Sequence, residues 1–206
     1  PFGTNGNPVL NGGTLQVLAN TGDLAVTLGS GTLTINGGGI LAMNETGAFN
    51  SQITIGNIAR TNQGTMVISP TTNLGGNSGQ RSRVLVTTNI FGVAAASANF
   101  NGILSPTIVR QTNGAANADV DFVTYTGSTD GLGTGVSTAF TGGIDATKVG
   151  TTTGNVLTGI NAVYALKTTG NISGGTLQIV ANGTLGNQVQ LGGLLINGAG
   201  SAAPQI

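Results

Sequence analysis

The residues whose types and spacing are best suited to chemistry are two aspartates, Asp119 and Asp121, separated by Val120 and followed by Phe122. On an alternating strand this spacing places both carboxylates on the same side. Two carboxylates beside a groove can bind Ca²⁺ or perform acid–base chemistry on a sugar. The alternative, which the residue types favour, is that both aspartates face solvent as surface acids.

Most other catalytic chemistry is excluded by composition. The 206 residues include no His and no Cys, so Ser-His-Asp and Cys-His arrangements and the usual zinc sites cannot form. Asp130 is followed by Gly131 in a glycine-rich stretch, which is typical of a turn. The stretch 131–135 lacks the lysine of a phosphate-binding loop. We therefore predict a protein that is not an enzyme and that binds no cofactor.

Charge excludes two further classes of partner. Only 6% of residues are charged and the formal net charge is zero, whereas soluble domains usually carry about 25% charged residues. Only Arg81 and Arg83, among six basic residues, lie close in sequence, so no basic stripe is available to follow nucleic-acid phosphates. No apolar run approaches the roughly 20 residues needed to span a bilayer. We expect neither a nucleic-acid partner nor a membrane span.

Short apolar runs with period two indicate the elements that position these residues. Alternation of this kind is the signal of a half-buried strand, and Thr, Val and Ile favour strands. The predicted strands cover 24–28, 32–35, 52–55, 65–68, 83–87 and 188–191. Helical signals are nearly absent, and the stretch 93–98 is the best candidate for a helical turn.

Glycine and asparagine clusters between the strands favour a particular all-β architecture. Both residues tolerate the positive φ of sharp corners, and aromatic residues make up only 4% of the chain. A right-handed parallel β-helix (solenoid) needs small inward side chains and permissive corners. We therefore predict that fold, with a β-sandwich as the main alternative and a barrel as the third. Asn20 with Asn182, and Asn36 with Asn197, are candidates for corner ladders.

A repeated segment supports the solenoid. Residues 12–20 return as residues 174–182, a shift of 162 (176 − 14), and only two aliphatic residues differ. A second phrase, within 33–39, returns within 194–200. Self-similarity of this kind is typical of repeat proteins. We predict one solenoid segment over 1–206, with an irregular middle at 91–168 and a partial internal repeat at 12–39 and 174–200.

These phrases also resemble a known group of proteins. Segments 12–17, 31–35 and 38–41, together with 102–104, 119–125 and 155–157, are similar to the autotransporter-associated β-strand repeats of large bacterial surface proteins, notably of planctomycete type. The resemblance implies a right-handed parallel β-helix that is exported and either displayed on the cell surface or shed. It also implies a structural or adhesive role.

Taken together, these features predict an extracellular or cell-surface bacterial protein that forms filaments by self-association or by tandem repetition. A β-helix without caps exposes strand edges at both ends, where a second copy can add. The side chains expected at this contact are aliphatic residues of the two repeat copies: Leu15, Val17, Leu33, Ile35, Leu177, Ile179, Leu194 and Ile196.

The alternative function is a module that binds or cleaves carbohydrate, with a surface polysaccharide as partner. Its candidate residues are the two aspartates, Asp119 and Asp121, and the two tyrosines, Tyr125 and Tyr164.

Overall fold

The computed structural model describes residues 6–76, 79–112, 120–135, 137–181, 183–185, 188–189 and 191–197. Within them the chain is all-β, as predicted, and its strands form sheets of eleven, five and two strands. The strands are β1 (Val9–Leu10), β2 (Gly13–Ala19), β3 (Leu24–Thr27), β4 (Thr32–Glu45), β5 (Ser51–Pro70), β6 (Asn73–Leu74), β7 (Arg81–Ile90), β8 (Val93–Ala94), β9 (Ile108–Gln111), β10 (Val120–Gly127), β11 (Gly131–Thr134), β12 (Thr138–Ala139), β13 (Ile144–Thr152), β14 (Asn155–Thr168), β15 (Ile172–Ile179), β16 (Thr184–Leu185), β17 (Gln188–Val189) and β18 (Gly193–Ile196).

The first part of the large sheet is a stack of parallel strands, which we call the first stack (β1 to β5, β7 and β9). Strand β2 pairs with β4, β4 with β5, and β5 with β7 and β9, all in parallel. In the first three layers, paired residues are 25 to 27 positions apart along the chain. The stack then ends in two antiparallel pairs, β9 with β10 and β10 with β11.

The five-stranded sheet is a second parallel stack, formed by β12 to β15 and β18, which we call the second stack. Strand β13 pairs with β14, and β14 with β15, between residues 16 to 18 positions apart. Strand β18 pairs with the end of β14. Between β15 and β18 lies the small antiparallel hairpin of β16 and β17.

The alternating pattern of the sequence is confirmed by burial. In β4 and β5 the inward side chains Leu33, Ile35, Ile53, Ile55 and Met66 are at most 1% exposed, while the intervening threonines are half-buried or exposed. A strand directs successive side chains to opposite faces, so each run buries one set of aliphatic residues. The result is an elongated core along the first stack.

A smaller apolar cluster joins the two stacks. Phe122 of β10 packs with Val149 of β13 and Tyr164 of β14. The rings of Phe100 and Tyr164 meet edge to face, with centroids 5.5 Å apart, the geometry that aromatic pairs prefer. This aromatic pair therefore lies at the junction, while the cores of the two stacks are mainly aliphatic.

The stretch 93–98 contains a 3-10 helix at Ala95–Ser97, preceded by the short strand β8. The predicted irregular middle contains two long parallel strands, β13 and β14. None of the described segments forms a helix with the length and apolar character that a membrane crossing requires.

Candidate functional site

The structure places Asp121 in an ion pair at the junction of the two stacks. Its Oδ2 accepts a hydrogen bond from Lys167 Nζ at 2.9 Å, and the two side chains are 15% and 12% exposed, respectively. Asp121 Oδ1 also accepts the backbone N–H of Phe122 at 3.0 Å. The expectation that Asp121 faces solvent is therefore wrong, because β14 packs a lysine against it. Asp119 lies outside the described residues.

The two tyrosines do not form a sugar-stacking face. Tyr125 donates its hydroxyl hydrogen bond to the backbone oxygen of Val86 at 3.2 Å and is 8% exposed. Tyr164 is fully buried. Burial raises the pKa of both phenols above the ordinary value of 10.0. Asp121, Tyr125 and Tyr164 are thus largely buried in the protein interior.

No metal site replaces this arrangement in the part of the chain that the structure describes, because His, Cys, Asp and Glu side chains do not gather there in groups of three. Asp130 lies in the tight turn that joins β10 to β11. A turn is the environment that its glycine neighbour indicated.

A buried carboxylate, Glu45, was missed by the sequence analysis. The hydroxyl groups of Ser51 and Ser82, both fully buried, donate to its Oε1, and Thr72 Oγ1 donates to its Oε2 at 3.4 Å. Ser51 and Ser82 are register partners on β5 and β7. The hydroxyl groups replace the water that a buried carboxylate loses. The signal was available, since Glu45 continues the inward alternation of Leu41 and Met43.

The main candidate for a functional surface is the open edge of the first stack. Among the described residues, β2 pairs only with β4, and β3 only with β5. Leu15, Leu24 and Val26 on these edge strands are half-buried against the core. Their register partners one layer inward are fully covered, as Leu41, opposite Leu15, shows with 0% exposure. Within the described residues, the core of the first stack is therefore only partly covered at its N-terminal edge.

The second stack has a matching open edge at its C-terminal side. Strands β15 and β18 pair only with β14 in the described part of the chain. Leu177, Ile179 and Leu194 are half-buried, and Ile196 is 48% exposed. The register partner of Ile179 on β14, Val163, is 0% exposed. Aliphatic side chains are again partly exposed where the described stack ends.

The structure thus divides the eight predicted contact residues. Leu15 and Val17 lie on the edge strand β2, although Val17 is only 3% exposed. Leu177, Ile179, Leu194 and Ile196 lie on the edge strands β15 and β18. Leu33 and Ile35 are a correction: β4 is covered by β1 on one edge and by β5 on the other, so both residues are fully buried. They cannot reach a second copy.

Corner ladders exist, but the pairs of asparagines differ from those expected, and Asn36 has Asn62 as its partner. Asn62 donates to the side-chain oxygen of Asn36 at 2.7 Å, and Asn89 to that of Asn57 at 3.2 Å. Each ladder joins successive layers of the first stack. Asn36 and Asn197 are on strands or corners of different stacks, and Asn182 lies outside the described residues.

Another ladder begins at the open edge with Asp23. The backbone N–H and the side-chain amide of Asn50 donate to Asp23 Oδ1 and Oδ2 at 2.9 and 3.0 Å. Asn50 in turn accepts the backbone N–H of Arg81 at 3.1 Å. The hydrogen bond from the Asn50 side chain, followed by that from its backbone, lowers the pKa of Asp23 below the ordinary value of 3.8.

This lowered pKa predicts acid sensitivity. The charged form of Asp23 stabilises the fold above its unfolded pKa, and this contribution is lost as the pH falls through the lower folded pKa. We expect the urea midpoint of Asp23→Ala to decline less steeply below about pH 4 than that of the parent protein. Urea titrations at several acidic pH values measure this difference. An equal decline of the two urea midpoints with falling pH would show that the Asp23 ladder does not contribute to stability.

Comparison of the chain with protein-family models, with curated proteins and with solved structures finds no match.

Proposed function

We propose that this chain is a structural, non-enzymatic protein of the bacterial cell surface or extracellular space, which associates end to end with further copies or tandem repeats. In this proposal the two parallel stacks are segments of a right-handed parallel β-helix. Parallel pairing at regular sequence intervals supports it, as does the general right-handedness of parallel crossover connections. The similarity to autotransporter-associated repeats supports the location.

The observation that carries the proposal is the pair of open edges. Among the described residues, the outer edges of β2 and β15 pair with no further strand, and half-buried aliphatic side chains lie beside them. Monomeric proteins usually protect such edges with charges, proline or a covering element. Strand β2 has no charged residue and no proline, and the same is true of β15. Nothing in either edge strand opposes the addition of a further strand.

The carbohydrate module is not favoured by the structure. Its tyrosines are buried and Asp121 is paired with Lys167. An adhesive role for a surface polymer remains part of the structural proposal, without an assigned sugar site.

End-to-end association is tested by following particle mass and shape with concentration. We expect multi-angle light scattering to show growth of the mass, and electron microscopy to show rods or fibres. Because few charges lie at the edges, the association should change little between about 0.05 M and about 1 M salt, where the Debye length falls to about 3 Å. Monodisperse single particles at all concentrations would contradict the proposal.

A matched pair of lysine substitutions assigns the association to the edge. Leu18 on the edge strand β2 and Ile40 on the interior strand β4 are similarly exposed, at 45% and 41%. Ile40 has neighbours on both sides, Thr14 and Val67. Lysine on an edge strand opposes strand addition, so Leu18→Lys should weaken association and Ile40→Lys should not. Equal effects would argue against the edge as the contact.

A further inference from the structure

We infer that the corner formed by Gly12 and Gly13 is a docking site for the edge strand β15 of a second copy of this chain. The two strands would pair in parallel, with Thr176 opposite Thr14. This inference rests on the proposed end-to-end association and specifies its register. It follows from a difference between the two repeat segments within the chain, 12–20 and 174–182, which begin with the same five residues and have different neighbours.

In the second repeat segment of the chain, 174–182, a close neighbour requires both residues to be glycine. A Cβ on Gly174 would collide with the backbone oxygen of Leu157, and a Cβ on Gly175 with the backbone oxygen of Gly159. Both obstacles belong to β14, the strand that pairs with β15. No residue larger than glycine fits without moving backbone.

Interior corners of the first stack follow the same rule. A Cβ on Gly39 would lie 2.6 Å from Leu10 Cβ of the preceding layer, and a Cβ on Gly64 would lie 2.7 Å from the backbone oxygen of Ile35. At each of these corners glycine admits the backbone or Cβ of the layer before it. Glycine weakens a strand unless another group approaches closely, so such corners mark contacts with a preceding layer.

The first repeat segment, 12–20, has the same two glycines, but the described residues place no strand against them. Among the described residues, no atom lies within 4 Å of a Cβ built on Gly12 or Gly13. Gly12 has nearly the same φ as Gly174, +83° and +76°. The corner therefore has the conformation and the small residues that admit a preceding strand, and the place of that strand is open.

The strand that fits beside Gly12 and Gly13 is β15, the edge strand at the opposite end of another copy of the chain. In the first stack β2 pairs with a strand that follows it in the chain, whereas β15 pairs with a strand that precedes it. With crossovers of the same hand, the free edges of β2 and β15 face opposite ways along the stacking direction. A second copy can thus present β15 to β2 without either strand changing direction.

Side chains agree with this register. Placing β15 on β2 brings identical Thr and Gln residues together, with Gln178 opposite Gln16, and sets Leu177 on Leu15. Stacked identical side chains in parallel strands form favourable ladders. The contact also covers Leu15 and Leu177, which are half-buried in the single copy.

Cysteine cross-linking tests the register, since the chain has no cysteine of its own. Gln16 and Gln178 are both exposed, and neighbouring strands lie about 4.8 Å apart, within the range that a disulfide spans. In the full chain, the double variant Gln16→Cys/Gln178→Cys should form a ladder of disulfide-linked oligomers under mild oxidation. The offset variant Gln16→Cys/Ser173→Cys is the matched control, because five residues shift the thiols by about 16 Å.

Light scattering of the same variants before oxidation separates the two proposals. Association with a ladder confined to the Gln16/Gln178 pair supports the register. Association with no ladder, or with equal ladders in both variants, overturns the register and leaves end-to-end association standing. Absence of any association overturns the proposed function itself.

A second variant tests the docking site at Gly12 and Gly13 without cysteines. Gly13→Ala adds a methyl group that meets no described atom of its own molecule within 4 Å and that would collide with an incoming strand. We expect its association constant to fall about tenfold or more, a change of about 1.4 kcal/mol. Gly38→Ala is the control, because its Cβ would meet only Thr65 Oγ1, at 3.8 Å. An unchanged association constant for Gly13→Ala would contradict the proposed docking site at Gly12 and Gly13.

Discussion

Replacing Gly175 with alanine is expected to lower the free energy of unfolding by about 3 kcal/mol or more. The same replacement at Gly13, within an identical stretch of sequence, should have almost no such effect. A Cβ on Gly175 would meet the backbone oxygen and nitrogen of Gly159, and backbone atoms cannot rotate away as a side chain can. Strand β15 must then move away from β14, or the pair must separate.

Gly13 provides the matched control for this prediction. A Cβ there meets no described atom within 4 Å, and alanine reduces the freedom of the unfolded chain. Gly13→Ala should therefore be neutral or stabilise the single copy by up to about 1 kcal/mol. Urea unfolding of dilute protein, followed by far-ultraviolet circular dichroism, measures both. Similar losses for Gly13→Ala and Gly175→Ala would show that crowding by β14 is not the cause.

Replacing Lys167 with methionine should also strongly destabilise the protein, by about 3–5 kcal/mol. Lys167 Nζ is 2.9 Å from Asp121 Oδ2, and both side chains are largely buried. Without the lysine, the Asp121 carboxylate stays largely buried at the junction of the two stacks and loses this ion pair. The penalty comes mainly from the carboxylate charge that remains buried.

A double variant distinguishes this cause from lost packing. Asp121→Leu/Lys167→Met removes both charges and should recover most of the stability lost in Lys167→Met, because apolar pairs often replace buried ion pairs without cost. Lys148→Met is the control. Its side chain is half-buried over the Phe140 ring at 6.0 Å, and we expect a loss below about 1 kcal/mol. A loss no larger for Lys167→Met than for Lys148→Met would contradict the role of the ion pair.

The strands and their faces were predictable from the sequence because they depend on local order. Successive side chains of a strand face opposite ways, so the burial of Leu33 and Ile35 and the half-exposure of the threonines between them are set by alternation alone. The position of Glu45 follows from the same rule, since it comes two residues after Met43. It was overlooked because an acidic residue is seldom buried.

Contacts between distant segments were not predictable in this way. Asp121 and Lys167 are 46 residues apart, and their meeting depends on the packing of β10 against β14. The usual preference of aspartate for solvent predicted the wrong environment. The burial of Tyr164 likewise depends on the junction with Phe100 and Phe122, which no local pattern reveals.

The repeated segment shows most clearly where sequence ends and tertiary structure begins. Residues 12–16 and 174–178 are identical, so by themselves they determine the same strand, the same corner and the same inward leucine. Tertiary structure decides which edge of each strand is paired, because that depends on whether the neighbouring layer comes earlier or later in the chain. Gly175 is therefore crowded by β14, whereas no described atom lies within 4 Å of a Cβ built on Gly13.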